Sequence, residues 1–206
     1  MEKLELVKIN ATIEGLSDIM FDKFIDHSKE VRPPEQKLYL FGDNQLIFPA
    51  DNIISFLFGE QNPSGCAKQF EGKRGKDYIR TGQSHINIDP LNIPFTDDKN
   101  KKIKFSGFNK GQFWIHEGSP RTKGAGSGSI KHEMKCRPVL SLPWELSFQI
   151  TLVKNVLIDE TKLYNWFVQG GILISIGTYR PRFGRFNVKA WDIENDNKIK
   201  TRNKIS

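Results

Sequence analysis

The sequence predicts an α+β fold in which an antiparallel sheet carries its helices on one face. Residues 4–14 and 143–153 both alternate between apolar and polar side chains, as expected for strands with one buried and one wet face. Apolar residues at helical spacing follow Asp159 and predict a helix. With 206 residues, the chain is long enough for one sizeable core.

Short elements are predicted along the first part of the chain. Ser17 is expected to cap a short helix that ends at Pro33-Pro34. Gly42-Asp43-Asn44 separates two apolar runs and predicts a hairpin. Asp51 is expected to cap a second helix, which ends near Gly59.

The middle of the chain shows weaker patterns. Residues 60–84 are polar, basic and interrupted by glycine, which predicts a partly irregular surface segment. Short strands are predicted at 85–89 and 112–116. Residues 117–131 hold four glycines, three serines and a proline, a composition typical of a long flexible loop. Compact domains seldom carry such loops without a use for them.

The last part of the chain is more regular. The helix that begins after Asp159 is expected to stop at Gly170-Gly171. Residues 172–176 are predicted to form a buried strand, and Arg185–Ile193 the closing strand. The basic residues 195–206 are predicted to form a flexible tail.

This order of elements predicts a ferredoxin-like (RRM-like) antiparallel sheet with helices on one face. We expect a single domain over residues 1–194, with a large insertion around 60–140. The open face of such a sheet would be available for binding.

Composition excludes several classes of protein. The hydrophobic fraction of 37% and aromatic fraction of 11% indicate a folded chain. No apolar run approaches the roughly 20 residues of a membrane span, and the charged N-terminus is unlike a signal peptide. Cys66 and Cys136 have no close partner, so we expect reduced thiols in a cytoplasmic protein, without disulfide, zinc or cofactor.

Positive charge is concentrated in three segments. Residues 66–80, 118–138 and 177–191 carry formal charges of +3, +4 and +4, whereas the rest of the chain sums to −4. Such a distribution is typical of a protein with a polyanionic partner. Chance clustering in a lysine-rich chain is the alternative.

The third basic segment combines arginine with glycine and aromatic residues, and no acid lies between Gly170 and Trp191. Arginine suits bidentate contact with phosphate, and Tyr179 and Phe183 could stack on unpaired bases. Together with the other two segments, it supplies the candidate nucleic-acid-binding residues, which are Lys73, Arg74, Lys76, Arg80, Arg121, Lys123, Lys131, Tyr179, Arg180, Arg182, Phe183 and Arg185.

Catalysis has little support in the sequence. The four histidines are scattered, and His116-Glu117 is one acid–base pair that could serve a ribonuclease. His132, Glu133 and Cys136 have a metal-like spacing, but a lone pair of ligands seldom makes a metal site. No nucleophile motif is present.

Two stretches resemble the RAMP superfamily, the RNA-binding subunits of CRISPR effector complexes. Gly177-x₆-Gly184-Arg185-Phe186 is similar to the C-terminal glycine-rich loop of that family, and residues 46–54 are similar to its early strand and helix start. The resemblance implies that Arg180, Arg182 and Arg185 hold RNA phosphates. It also implies that residues 118–137 form a hairpin, or thumb, that intercalates between bases.

We therefore predict a non-catalytic subunit of a ribonucleoprotein assembly that binds single-stranded nucleic acid, RNA rather than DNA. Its partners would be copies of itself or other subunits, in the setting of CRISPR-type antiviral defence. One alternative is a metal-independent RAMP-type endoribonuclease that uses His116 or another histidine as general acid–base. A further alternative is a structural or interaction protein of a phage or mobile element.

Overall fold

The structure is a computed structural model, which describes residues 5–23, 32–61, 64–118, 121–123, 130–132 and 135–194. Its strands are β1 (Leu6–Gly15), β2 (Ile19–Met20), β3 (Leu40–Phe41), β4 (Gln45–Pro49), β5 (Ile86–Asp89), β6 (Asn92–Thr96), β7 (Phe113–Gly118), β8 (Arg121–Lys123), β9 (Ile130–His132), β10 (Lys135–Leu140), β11 (Glu145–Val153) and β12 (Phe186–Glu194). Its α-helices are α1 (Ala50–Phe58), α2 (Cys66–Phe70), α3 (Gly75–His85) and α4 (Glu160–Leu173). Short 3₁₀ turns cover Pro34–Lys37 and Gly72–Arg74. Within these ranges, no helix has the length and apolar character needed to cross a bilayer.

The main sheet has seven strands in the order β12-β1-β11-β6-β4-β3, with β5 also paired to β11. All of the strand pairings within the described residues are antiparallel. The predicted α+β class is therefore confirmed. The two strands with the clearest alternation, β1 and β11, are neighbours over their whole length, with Ile9 opposite Ile150.

One face of this sheet forms the core beneath the helices. Ile9, Ile13 and Ile150 are fully buried, and each such side chain contributes roughly 1.5–3 kcal/mol to folding. Helix α4 contacts the sheet through Phe167, whose ring centroid lies 5.9 Å from that of Phe148 in β11. Phe56 of α1 lies 5.5 Å from the same Phe167 ring. The alternation in the sequence thus gives the correct buried face.

Helix α4 continues through Gly170-Gly171, so the predicted strand at residues 172–176 is wrong. A Cβ atom at Gly171 would lie 2.5 Å from the carbonyl oxygen of Phe186. These glycines therefore allow β12 to approach the helix closely, and they do not end it. The helix ends at Leu173, and the N–H of Ile174 donates to the carbonyl of Gly170.

Residues 60–84 are largely helical rather than irregular, since they contain α2 and α3. The buried face of these helices includes the small residues Cys66, Ala67 and Gly82. Helix α3 buries only Tyr78 and Ile79 as large side chains, beside Gly75 and Gly82, and its remaining residues are polar. A polar segment interrupted by glycine predicts a loop, which is why its sequence does not indicate a helix. The pairing of β5 and β6 with β11 also makes the middle of the chain part of the main sheet.

The helix predicted from Ser17 is wrong in its described part, because Ile19 and Met20 form β2. The Ser17 hydroxyl does not cap a helix, since it accepts a hydrogen bond from the N–H of Arg185 at 3.0 Å. The rest of that prediction, residues 24–31, lies outside the described residues.

A second sheet has the order β2-β10-β7. Its β7–β10 pair runs out to Gly118 opposite Lys135, and the separate pair β8–β9 follows, with Arg121 opposite His132. The described parts of the predicted flexible loop thus form a hairpin arm. Residues 119–120, 124–129 and 133–134 of this region and the predicted tail at 195–206 lie outside the described residues.

Candidate nucleic-acid interface

The arginine-rich segment forms a closed loop between α4 and β12, here named the arginine loop (residues 174–185). The N–H of Thr178 donates to the carbonyl of Met20 at 2.9 Å. The N–H of Gly184 donates to the carbonyl of Asp18 at 2.8 Å, and the N–H of Ile176 donates back to the carbonyl of Gly184 at 3.0 Å. The loop is therefore attached along β2, at the end of the main sheet where β1 finishes and β12 begins.

Close packing inside the loop requires a glycine at position 184. Gly184 has a φ of +72°, and a Cβ atom there would lie only 1.9 Å from the carbonyl oxygen of Ile176. Ser175 is fully buried, and its hydroxyl donates to the carbonyl of Phe183 at 2.8 Å. These contacts hold the loop in one shape.

The three arginines of the loop differ in their surroundings. Arg182 and Arg185 are exposed, and Nε of Arg185 donates to the carbonyl of Pro181 at 3.0 Å. Arg180 is half-buried, and its Nη1 lies 3.5 Å from the carbonyl oxygen of Ser175. Burial lowers the pKa of the Arg180 guanidinium, yet an arginine remains cationic in a protein.

The two aromatic residues predicted to stack on bases also differ. Tyr179 is 53% exposed, whereas Phe183 is only 8% exposed and packs in a small apolar cluster with Met20 and Val139. A buried ring has no free face for a base, so the stacking role predicted for Phe183 does not fit its position. The Phe183 ring lies 6.2 Å from that of Tyr179 and 5.6 Å from that of His116, and it supports both.

A polar cleft of about 240 Å³ separates the arginine loop from the first turns of α1. Thr178 and Arg180 line one wall, and Asn52 and Ser55 line the other. Asp22 is the acid on its lining; this carboxylate is paired with Nε of Arg137 at 2.8 Å and both side chains are largely buried. We refer to this feature as the cleft.

The cleft joins two distant parts of the chain. Asn52 lies in the stretch at 46–54, and Arg180 lies in the stretch at 177–186. These are the two stretches that carry the RAMP resemblance. Both stretches line the cleft, so they lie at the same end of the molecule.

The basic residues before and within α3 lie elsewhere. They are exposed, and we name them the helical basic patch, which comprises Lys73, Arg74, Lys76 and Arg80. Arg74 lies over the ring of Tyr78, 5.8 Å from its centroid, and Lys162 of α4 lies 5.0 Å from the same centroid. None of the patch residues lines the cleft. The structure thus does not bring this segment together with the arginine loop.

Three further predicted residues, Arg121, Lys123 and Lys131, lie in the hairpin formed by β8 and β9. Their side chains lie outside the described part of the structure. Along the chain this hairpin lies between β7 and β10, and His116 of β7 is the neighbour of Tyr179 at 6.1 Å between ring centroids. The hairpin arm therefore begins beside the arginine loop.

The open face of the main sheet has the wrong charge for a nucleic acid. Its ionisable residues on β12, β1, β11 and β5 are five acids and two lysines, namely Glu14, Asp89, Glu145, Asp192, Glu194, Lys8 and Lys189. Lys189 is bonded to Glu145, which neutralises it further. A polyanion is repelled by such a surface, so the expectation of binding on the open face is not supported.

The predicted acid–base pair is not assembled. His116 and Glu117 are consecutive residues of β7 and pair with Arg137 and Cys136 of β10. Successive side chains of a strand point to opposite faces, so these two cannot serve one reaction centre. Within the described residues there is also no group of three His, Cys, Asp or Glu side chains that could hold a metal ion.

Comparison with known proteins gives a fold but no family. No protein-family model matches the chain, and no curated protein matches it. A chain in the cryo-EM structure of the Type III-B Cmr-beta bound to cognate target RNA is similar, with a TM-score of 0.51 and 11% sequence identity. The similarity covers 91% of this protein and 60% of that chain, so this protein spans less than two thirds of its neighbour's length. At this identity, the two chains share a fold.

Proposed function

We propose that this protein binds single-stranded RNA through the cleft and the arginine loop, as a non-catalytic subunit of a ribonucleoprotein assembly. The observation that carries the proposal is the cleft itself, which joins Arg180 with Asn52 and Ser55. Guanidinium, amide and hydroxyl groups are the side chains that contact phosphate and sugar in protein–nucleic acid complexes. Arg182 and Arg185 extend the positive charge along the outside of the loop.

The sheet supports the finer fold assignment. Four neighbouring strands of the main sheet lie in the order β12-β1-β11-β5. Counted along the chain, these are the fourth, first, third and second of the four, which is the strand order of a ferredoxin-like unit. The similarity to a chain in an RNA-bound Type III-B Cmr-beta structure favours a RAMP-type fold for this protein. It also favours RNA over DNA as the ligand, and other subunits or copies of this chain as partners.

RRM domains bind RNA on the face of their sheet, through aromatic residues of the strands. In this protein, the distribution of charge favours the arginine loop over the sheet face. The open face carries more acids than lysines, whereas the arginine loop carries three arginines and no acid. The phosphate backbone dominates affinity for nucleic acid. We therefore place the RNA at the end of the sheet, across the arginine loop, with the hairpin arm beside it as the thumb.

A salt titration tests the proposal. The affinity for a fluorescein-labelled single-stranded RNA is measured by anisotropy at increasing salt, with the same sequence as DNA in parallel. Three phosphate contacts predict a slope of log K against log salt of about −2, since each contact contributes about −0.7 on a single strand. RNA is expected to bind more tightly than DNA. Absence of binding, or affinity independent of salt, would refute the proposal and favour a structural or protein-binding role.

Among the histidines whose side chains the structure describes, His116 is the candidate for the endoribonuclease alternative, because its ring contacts the arginine loop. Its ring lies among the rings of Trp114, Tyr179 and Phe183, with centroids about 6 Å away, and Glu117 is on the opposite face of its strand. This setting suits packing or stacking better than proton transfer. Incubation of labelled RNA with the protein and EDTA checks the point: we expect intact RNA, and metal-independent cleavage lost in His116→Ala would establish the alternative.

A further inference from the structure

We propose that Tyr179 and His116 form a stacking platform for one unpaired nucleobase, beside the cleft. The proposal rests on the proposed function, because the base belongs to a strand whose phosphates lie in the cleft. It adds a second type of contact, which depends on the base and not on charge.

The backbone of Tyr179 is held in an unfavourable conformation. Its φ is +62°, and the left-handed region costs a residue with a Cβ atom about 1–2 kcal/mol. Burial does not repay this cost, since 53% of Tyr179 is exposed. Strained residues of this kind concentrate at ligand sites, where surrounding structure holds them in place. The loop thus presents an aromatic ring to solvent in a fixed position.

Rings beneath Tyr179 hold that position. Its plane is inclined by 32° to the ring of Phe183 and by 35° to that of His116, at centroid distances of 6.2 and 6.1 Å. Phe183 is itself buried against Met20 and Val139. Trp114, which contacts His116 and Phe183, is anchored because its Nε1 donates to Oδ2 of Asp18 at 3.2 Å. Such an arrangement is pre-organised, so little entropy is lost when a base stacks on it.

The position of the platform selects a nucleobase over an apolar peptide side chain. Tyr179 directly precedes Arg180, which lines the cleft, and the exposed Arg182 follows two residues later. A nucleotide joins a flat aromatic face to a phosphate one sugar away, which matches an exposed ring beside guanidinium groups. His116 belongs to the strand that leads into the hairpin arm, so the base would sit between the arginine loop and that arm.

The test compares two ligands of equal length, a labelled single-stranded RNA and an abasic ribose–phosphate oligomer. Tyr179→Ala is expected to weaken RNA binding about 5- to 140-fold, equivalent to the roughly 1–3 kcal/mol of one stacked base. Binding of the abasic oligomer should not change. Tyr179→Phe keeps the ring and should bind RNA as the wild type does. Tyr164→Ala is the matched control, since Tyr164 is 40% exposed on α4 and contacts Trp191, away from the cleft.

Each other outcome overturns the platform in a recognisable way. If wild-type protein binds both ligands equally, backbone binding stands and the platform does not. If Tyr179→Ala weakens both ligands to the same extent, the residue supports the loop and does not stack on a base. If neither ligand binds to the wild type, the proposed function fails and the platform fails with it.

Discussion

Replacing Gly184 by alanine should destabilise the arginine loop far more than an ordinary glycine substitution does. The new Cβ would lie 1.9 Å from the carbonyl oxygen of Ile176, which is backbone and cannot rotate away. The loop must then move, and three hydrogen bonds depend on its present shape: Ile176 N–H to Gly184, Gly184 N–H to Asp18, and the Ser175 hydroxyl to Phe183.

The magnitude follows from two contributions. The left-handed φ of +72° costs alanine about 1–2 kcal/mol. Loss of three hydrogen bonds costs about 3 kcal/mol at about 1 kcal/mol each. If the loop unfolds together with the rest of the protein, the free energy of unfolding should therefore fall by about 4–5 kcal/mol. If the loop alone opens, the protein stays folded and loses its affinity for RNA.

The chain offers a matched control in Gly42, in the turn between β3 and β4. Its φ is +53°, and a Cβ atom there would meet no atom within 4 Å, so Gly42→Ala should cost only the backbone strain of about 1–2 kcal/mol. Urea unfolding followed by tryptophan fluorescence, with RNA binding measured in parallel, compares the two variants. If Gly184→Ala matches Gly42→Ala in stability and binds RNA normally, the loop is not the rigid element described above.

Three further predictions concern charge and thiol chemistry. Arg182→Ala should weaken RNA binding and reduce the salt slope by about 0.7, without changing the free energy of unfolding, because Arg182 is exposed. The control Lys99→Ala, at another exposed cation, should change neither the RNA affinity nor the salt slope. Equal losses of affinity in both variants would contradict a specific contact. Alanine at all four positions of the helical basic patch should weaken binding only at low salt, since charges more than about 10 Å from the RNA are screened at 0.1 M; a loss that persists at high salt would instead place the patch in contact with RNA. Cys136 should react with a thiol reagent in the native protein and Cys66 only on unfolding, because burial raises the pKa of the Cys66 thiol and few thiolates form; equal rates would show that α2 opens readily.

Alternation and turn chemistry predicted the central elements correctly. Strands β1 and β11, the hairpin around Gly42, and the start of α4 after Asp159 all follow from local sequence. In the last case the Asp159 side chain accepts from the N–H of Lys162 at 2.7 Å, as a helix cap should. These elements determine which face of the sheet is buried under the helices. They were therefore sufficient to predict the α+β class.

The cap predicted at Asp51 is wrong, because α1 begins at Ala50 after Pro49 and no side chain caps it. Three other errors share a physical cause, which is that small residues serve packing as well as turns. Gly171 lies against β12, although Gly170-Gly171 predicts a helix stop. Gly75 and Gly82 lie on the buried face of α3 with Tyr78 and Ile79, although glycines in a polar segment predict a loop. Ser17 binds the arginine loop, although its position in the sequence predicts a helix cap. Only the tertiary contacts distinguish these uses.

The site was predicted in part. Clustering of arginine without acids indicated the loop, and the resemblance indicated the helix start that faces it across the cleft. The burial of Phe183, the exposure of Tyr179 at positive φ and the position of His116 depend on the second sheet. That sheet contains β10, which local pattern did not reveal, so the aromatic arrangement could not be derived from the sequence.

A crosslinking map tests the central claim most directly. The protein is irradiated in complex with single-stranded RNA that contains 4-thiouridine, and the crosslinked peptides are identified by mass spectrometry. The account predicts crosslinks in the arginine loop, residues 174–185, above all at Tyr179, with further crosslinks in the first turns of α1. Crosslinks concentrated on the open face of β1 and β11, with none in the arginine loop, would contradict it.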